Sequence, residues 1–260
     1  MTNYTGSCTI TAANTVIESK LVNCKLTIRA AGVIIRNSYI NGNVWIESPN
    51  SGYSFTIVDS TIDAGEVSAT VNDGTRSLGK SNFTAIRVET LRGIGGAWCE
   101  YNCTIQDSWI HGQDRDEGGA AHQSGIRMGS GSAAAGQRIE HNTIICDAPN
   151  VAPDAGCSAD ITGYGDFATI QNNTVANNLL GSTPGGTCAY GGSSKGKPYP
   201  NGTNNRFHDN IFQRGAGNRG AGPLGKCGYW FAITDLDAGK RGNEWVNNRW
   251  DTGELMPSNG

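Results

Sequence analysis

A six-residue pattern recurs eight times along the chain and limits the folds that the chain can adopt. Its first and sixth residues are apolar in every copy, at residues 17–22, 35–40, 57–62, 105–110, 139–144, 170–175, 207–212 and 245–250. The fourth residues are Lys20, Ser38, Ser60, Ser108, Asn142, Asn173, Asn210 and Asn248. Successive copies lie 18, 22, 48, 34, 31, 37 and 38 residues apart. A short strand and corner, repeated at a variable, coil-sized interval, predicts a parallel β-solenoid.

Another apolar strand fits once into each coil, centred on Ile10, Ile28, Ile46, Ile86, Ile126, Ile161, Ala189 and Ile233. Placing Ile86 in the 48-residue gap makes the coils contiguous. We therefore predict an all-β parallel β-helix of about eight coils with three strands per coil, as a single domain over residues 1–260. Asn suits the corner because it tolerates left-handed backbone and can bond to its stacked neighbour. A β-sandwich is the structural alternative, and the constant frame argues against it.

The repeats resemble those of right-handed parallel β-helix proteins of the pectate lyase-like superfamily, especially small secreted bacterial members with a strand followed by I-x-x-N-x-I. The resemblance covers residues 8 to about 251. It implies a right-handed helix and a function among polysaccharide lyases, glycoside hydrolases, uronate epimerases and non-catalytic modules. The strongest local signatures of the lyases and the Asp-Pro-His element of the epimerases are missing, so catalytic residues are not transferred from the family.

Charge and cysteine content narrow the partners and the compartment. With 20 basic and 23 acidic residues and a net charge of -3, the chain has no strong field for nucleic acid or an anionic membrane. The first residues lack a targeting pattern, which favours a mature form with an added Met. Eight cysteines predict four disulfides and a secreted protein. Sequential pairing is our preferred arrangement: Cys8 with Cys24, Cys99 with Cys103, Cys146 with Cys157 and Cys188 with Cys227. Zinc is the rival, and the cysteine spacings do not favour it.

Long connections should all leave one edge of the solenoid, at residues 63–85, 111–125, 145–160, 176–188 and 213–232. Together with the outward residues of the first strand in each coil, they should form one groove that carries the function. The residue after each inward apolar residue forms the predicted floor. This places Arg87 beside Arg127 on adjacent coils, with Asp160 one coil further.

Two adjacent arginines are explained if an anionic ligand, a carboxylate or a sulfate, bridges them. The alternative is a ladder of ion pairs, in which Glu47 pairs with Arg87 and a loop carboxylate pairs with Arg127. Asp160 is either a general acid or metal ligand, or a hydrogen-bond acceptor for Arg127.

The segment from His111 to Arg127 has the densest chemistry in the chain. Asp114, Asp116 and Glu117 supply oxygens that suit Ca²⁺, although their spacing is not that of an EF-hand. His122 is a candidate base beside Arg127. The alternative is a solvated polar loop with His111 packed at its base.

Further candidates lie in the following connections. Asp154 and Lys195 are candidate substrate-binding residues, as are His111 and Trp230. Glycines flank Tyr190, which is either a sugar-stacking platform, a proton donor or a capped aromatic residue. The glycines do not have the spacing of a phosphate loop.

Three functions follow. The preferred one is a secreted, monomeric polysaccharide lyase acting on a uronate-containing glycan, with Arg127 and Arg87 neutralising the carboxylate, with or without Ca²⁺. His122 is then the base and Tyr190 or His111 the donor. The second is a glycoside hydrolase using Asp160 with Asp114 or Asp154. The third is a non-catalytic, glycan-binding β-helix.

Overall fold

The computed structural model describes residues 1–48, 51–66, 75–129, 136–215 and 226–258. Within these ranges the fold is all-β, and its strands form one large parallel sheet that curls on itself. Each strand pairs with the strand one coil away, so the strands stack in three columns. Ranges that bend at a corner contribute to more than one column.

The first column contains Thr9–Ile10, Leu26–Ile28, Val44–Trp45, the start of Arg76–Leu91, the start of Gly95–Gln106, His122–Met128, Gly156–Thr162, Thr187–Tyr190 and Phe231–Thr234. The second contains Val16–Glu18, Val33–Arg36, the start of Phe55–Asp63, the middle of Arg76–Leu91, the end of Gly95–Gln106, Arg138–Glu140, Gln171–Ala176, Thr203–His208 and Glu244–Val246. The third contains Thr2–Asn3, Lys20–Val22, Tyr39–Asn41, the ends of Phe55–Asp63 and Arg76–Leu91, Trp109–Ile110, Thr143–Ile144, Leu179–Leu180, Ile211–Phe212 and Arg249–Trp250.

This arrangement is consistent with the predicted parallel solenoid, whereas the predicted count of about eight coils is not confirmed. In the described ranges, eight successive pairings in the first column join nine strand segments. The additional coil lies in the 48-residue gap. There, Ala85 pairs with Ile57 and Ile105 in the second column, so Ile86 is not in a first strand. Leu78 takes the first-column position of this coil.

The corner between the second and third columns explains the six-residue motif. Its third residue has positive φ in every coil, at Ser19, Asn37, Asp59, Arg87, Asp107, His141, Asn177, Asp209 and Asn247. The prediction placed the left-handed residue one position later. Where the fourth residue is Ser or Asn, its side chain instead accepts a hydrogen bond from the backbone N–H one coil before it, as Asn142 Oδ1 does from Ser108 N at 2.9 Å.

The asparagine ladder also corrects one copy of the motif. Asn178 Oδ1 accepts a hydrogen bond from Asn142 N at 2.9 Å, and Val175 is the residue that pairs with Ile139. The copy therefore begins at Val175 and not at Ile170. Asn173 belongs to a second ladder, in which its Nδ2 donates to Asn205 Oδ1 at 2.9 Å.

The interior of the coil is apolar, and the disulfides hold strands and connections around it. The core consists mainly of inward Ile, Val, Leu and Phe side chains such as Ile35, Ile57 and Phe207. All four predicted disulfides are confirmed: Cys8–Cys24, Cys99–Cys103, Cys146–Cys157 and Cys188–Cys227. No segment in the described ranges is a helix of the length and apolarity that a membrane crossing needs.

The connections from third to first strands differ from the prediction. Residues 92–94 join two coils directly. The strands His122–Met128 and Gly156–Thr162 begin inside the connections predicted at 111–125 and 145–160 and continue into the predicted first strands at Ile126 and Ile161. The third strand at Leu179–Leu180 shortens the connection predicted at 176–188. Residues 67–74 and 216–225, inside two other predicted connections, lie outside the described residues.

Candidate functional site

An open depression of about 420 Å³, called the cleft below, lies on the outer side of the first column. It is lined by Arg76, His122, Ser124, Arg127, Ser158, Thr162, Tyr164, Asp166, Gly186, Tyr190 and Lys197. The strands bring these residues together from several coils, because Arg127 pairs with Trp98 on one side and Thr162 on the other. Three of the predicted catalytic residues, His122, Arg127 and Tyr190, therefore line one surface.

Two arginines approach the same indole ring at the base of the cleft. The guanidinium carbons of Arg76 and Arg127 lie 5.5 Å and 4.8 Å from the centre of the Trp98 ring. The Trp98 ring is held by a hydrogen bond from Nε1 to the Gly129 carbonyl at 2.9 Å. Gly95 leaves space for the neighbouring strand and for Arg76, because a Cβ there would lie 2.6 Å from the Ser124 carbonyl oxygen and 3.2 Å from Arg76 Nε. Cation–π contacts of this kind favour an Arg over an indole face.

Arg76 is the most unusual charge in the cleft. Its residue is only 6% exposed, its Nε has no hydrogen-bond partner, and it forms no ion pair within the described residues. Burial, followed by repulsion from Arg127, lowers the pKa of Arg76 to about 9. Because a buried unpaired cation is costly, an anionic ligand would be strongly favoured at this position.

Arg127 is half-buried, and burial lowers the pKa of its guanidinium. The carboxylates of Asp166 and Glu100 and the Tyr164 phenol act against that effect. Glu100 is buried, and burial raises its pKa. Glu100 is matched by Lys80 at 3.8 Å and Asp166 by Lys197 at 2.8 Å, so the two arginines are the excess positive charge at the base of the cleft.

Two tyrosines form one wall of the cleft. The ring centres of Tyr164 and Tyr190 lie 4.5 Å apart. Burial raises the pKa of both phenols, so both remain protonated at neutral pH and can donate a proton. Lys197 lies 5.4 Å from the Tyr164 ring centre and forms an ion pair with Asp166 at 2.8 Å.

His122 lies at the opening of the cleft. Its Nε2 is 2.9 Å from Asp154 Oδ2, and both side chains are exposed. A neighbouring depression of about 490 Å³ is lined by His122 and residues 150–158. The carboxylate of Asp154 can thus orient the imidazole of His122, as an acid–base role requires.

Arg87 does not lie beside Arg127. It is the left-handed corner residue of its coil, and its Nε and NH2 bind Asp59 at 2.6 and 3.0 Å. The predicted position depended on Ile86 being in a first strand, which is not the case. The alternative was a ladder of ion pairs in which Glu47 binds Arg87. Glu47 instead forms its ion pair with Arg29 at 2.8 Å.

Asp160 is not on the floor of the cleft. It is fully buried, and its Oδ1 accepts a hydrogen bond from Cys146 N at 2.7 Å. Its Oδ2 has no partner, and burial raises its pKa well above the ordinary value. Asp160 also lies near the sulfurs of Cys188 and Cys227, but those sulfurs form a disulfide and are not metal ligands.

The acidic loop makes contacts within itself. Asp116 accepts hydrogen bonds from the backbone N–H groups of Gly118, Ala120 and Ala121 at 2.9, 2.9 and 2.7 Å. Glu117 binds Arg115 at 2.6 Å. Across the described ranges, Asp114, Asp116 and Glu117 do not converge with one another as a set of metal ligands. These contacts give calcium no support, and calcium dependence stays a prediction.

The remaining candidates lie outside the cleft lining. His111 Nε2 is 3.2 Å from Glu89, and its ring stacks on Trp109 at 3.6 Å, on the third-column face. Lys195 is exposed. Trp230 is exposed at the edge of the cleft, where a Cβ on Gly186 would lie 3.3 Å from its Cδ1.

Sequence reasoning did not identify Arg76 or Trp98 as part of the site. The available signal for Arg76 was Leu78, the apolar first-column residue of this coil, which the insertion of Ile86 into the gap concealed. Trp98 follows Ala97 just as Arg127 follows Ile126, and that register identifies both as outward residues.

Comparisons with known proteins do not assign a family. No protein-family model, no curated protein and no solved structure matches the chain. The likeness to the pectate lyase-like superfamily therefore has the repeat and the parallel sheet as its only support.

Proposed function

We propose that the chain is a secreted, right-handed parallel β-helix enzyme that cleaves a uronate-containing polysaccharide by β-elimination in the cleft. The observation that carries the proposal is Arg76, a buried cation without a carboxylate partner in the described residues, beside Arg127. A substrate carboxylate would supply the missing negative charge. Four disulfides support the extracellular assignment.

Neutralisation is the first requirement of β-elimination, because the hydrogen on the carbon next to the carboxylate must become more acidic. Arg76 and Arg127 would bind the carboxylate and stabilise the charge that develops on it. In this proposal Arg76 takes the role that the sequence had indicated for Arg87.

Proton transfer is the second requirement. His122, oriented by Asp154, would take the proton, and the electron pair of the broken C–H bond would form the C=C bond of the product. The bond to the leaving glycosidic oxygen breaks in the same elimination. Tyr190 or Tyr164 would give that oxygen its proton, since burial keeps both phenols protonated.

Hydrolysis has less support, because it needs two accessible carboxyl groups. Asp160 is fully buried, and Asp166, the carboxylate in the cleft lining, is paired with Lys197. A non-catalytic glycan-binding β-helix remains the second candidate, and the exposed aromatic residue Trp230 at the edge of the cleft favours it.

The test is incubation with polygalacturonate, alginate, hyaluronan and chondroitin sulfate, each with Ca²⁺ or with EDTA. β-Elimination gives unsaturated uronate ends that absorb in the ultraviolet, whereas hydrolysis gives reducing ends without that absorbance. Unsaturated product that is lost in Arg76→Gln is the expected result. Binding without either product would contradict the lyase and favour the binding module.

A further inference from the structure

Three consecutive aromatic residues are exposed next to the cleft. Tyr229 is 52%, Trp230 59% and Phe231 48% exposed. Large apolar side chains grouped on a surface commonly mark a binding site. The Tyr229 and Trp230 rings meet edge to face, with their centres 4.3 Å apart. This pair is called the aromatic rim below.

The backbone fixes the aromatic rim to the lining of the cleft. Tyr229 N donates to the Gly185 carbonyl at 2.7 Å, and Trp230 N donates to the Gly186 carbonyl at 2.8 Å. Just before the rim, Cys227 is bonded to Cys188, which lies in a first-column strand. Gly186 itself lines the cleft, and its missing side chain lets the Trp230 indole approach closely. The rim is therefore positioned without any contribution from a ligand.

We propose that the aromatic rim is a sugar-stacking subsite, which binds a ring of the same glycan chain whose uronate lies between Arg76 and Arg127. This inference rests on the proposed function for the identity of the chain. Indole and phenol rings combine an apolar face with a polar edge, and the two faces of a pyranose ring are likewise apolar in their C–H groups and polar at their edges. Continuity with a cleft that offers cations and phenols favours a glycan over an apolar protein segment.

A consequence is that the ligand is an oligosaccharide that extends beyond the reacting unit. Contacts at the rim are made before and after the reaction alike, so they should lower KM without changing kcat. A free monosaccharide acid reaches the arginines alone and should be insensitive to the rim.

The experiment compares Trp230→Ala and Trp230→Phe with Trp109→Ala. Trp109 is a matched control, because it is 49% exposed and lies on the third-column face. Retention by polygalacturonate, alginate and hyaluronan is measured by affinity electrophoresis, with kinetics on each polymer that is cleaved. Trp230→Ala should weaken retention about tenfold, equivalent to roughly 1.4 kcal/mol. Trp230→Phe should restore most of it, and Trp109→Ala should behave as the unchanged protein.

The outcomes separate the two proposals. If retention of a polymer depends on Trp230 but no product forms, the proposed lyase function is overturned and the proposed subsite is supported. If a polymer is cleaved and Trp230→Ala has the same KM as the unchanged protein, the proposed subsite is overturned and the proposed lyase function is supported. Retention of none of the polymers would overturn both. Trp230-dependent self-association in sedimentation would assign the rim to a second copy of the chain and overturn the subsite.

Discussion

The Arg76 guanidinium lies 5.5 Å from the centre of the Trp98 ring, at a site where burial leaves it almost no contact with water. The indole face compensates for part of the lost hydration, and within the described residues no carboxylate compensates for the rest. The Arg76 charge is therefore unfavourable by itself, and an anion bound in the cleft would offset that cost.

Replacing Arg76 by Met should stabilise the ligand-free protein while removing anion binding. Removal of a buried unpaired charge in favour of an apolar side chain is expected to raise the free energy of unfolding by about 1–3 kcal/mol. Glucuronate should raise the Tm of the unchanged protein and leave that of Arg76→Met constant.

Arg92 supplies the comparison for Arg76. It lies at the end of the same coil and binds Asp63 with its Nε at 2.5 Å and its NH2 at 2.6 Å. Arg92→Met should therefore destabilise the protein, because Asp63 would lose its partner. Loss of stability in both variants, measured by denaturant unfolding with disulfides intact, would contradict the interpretation of Arg76.

Replacing His122 by Gln should lower kcat on a cleaved polymer by about 10²–10⁴-fold, the usual contribution of general base catalysis. KM and Tm should change little, because the His122–Asp154 pair is exposed and an exposed pair contributes little to stability. His141 is the control, since it forms a similar pair with Asp107 at 2.5 Å, at the corner between the second and third columns. Equal activity of His122→Gln and His141→Gln would remove His122 from the mechanism.

Asp160 should make stability decrease as the pH rises. Burial raises its pKa in the folded protein above the unfolded value of about 3.9, so folding favours the protonated form. The contribution of Asp160 to the free energy of unfolding is fully present below pH ~4 and is lost as the pH rises toward the folded pKa. Asp160→Asn should remove this decrease, as measured by urea unfolding across the pH range.

Asp116 should show the opposite dependence. Hydrogen bonds from the backbone N–H groups of Ala121, Ala120 and Gly118 lower its pKa. Its stabilising effect is therefore present above the unfolded pKa and is lost as the pH falls. Asp116→Asn should lower stability mainly at neutral pH. If Asp160→Asn and Asp116→Asn had pH dependences of the same sign, the environment assigned to one of them would be wrong.

Replacing Asn178 by Ala should destabilise the protein by about 2–5 kcal/mol, since it removes several hydrogen bonds of buried groups. Asn178 Nδ2 donates to the Ile139 carbonyl at 2.8 Å and to Asn210 Oδ1 at 2.9 Å, and its Oδ1 accepts from Asn142 N. Asn201, an exposed residue in a connection, is the control. Thermal unfolding that gives similar Tm values for Asn178→Ala and Asn201→Ala would show that the ladder contributes little.

The repeat predicted the columns, because they depend on a local pattern, whereas the sequential disulfides were a separate prediction from the order of the cysteines in the chain. It failed where the pattern was degenerate. The extra copy at 85–90 has Val88 at its fourth position and Thr90 at its sixth, so it lacks both the polar fourth residue and the apolar sixth residue of the motif. Ile170 and Val175 each begin a six-residue stretch with Asn at the fourth position and an apolar residue at the sixth, so the sequence could not choose between them.

The site was predicted in part. Arg127 and Tyr190 follow from strand alternation, and His122 was predicted in a connection above the groove; all three line the cleft. Arg76 requires the correct register of a coil that the pattern did not reveal. The burial of Asp160 depends on Cys146 N approaching it at 2.7 Å, and contacts made by a connection are not encoded by strand alternation.

The corner between the second and third columns keeps the same form while successive coils differ in length from 18 to 38 residues. Each strand pairs only with the strands one coil before and after it. A connection can therefore lengthen without displacing the strands of any other coil. A chain of this design can acquire a new binding surface by exchanging one connection at a time, and the scaffold that holds the older part of the surface is inherited unaltered.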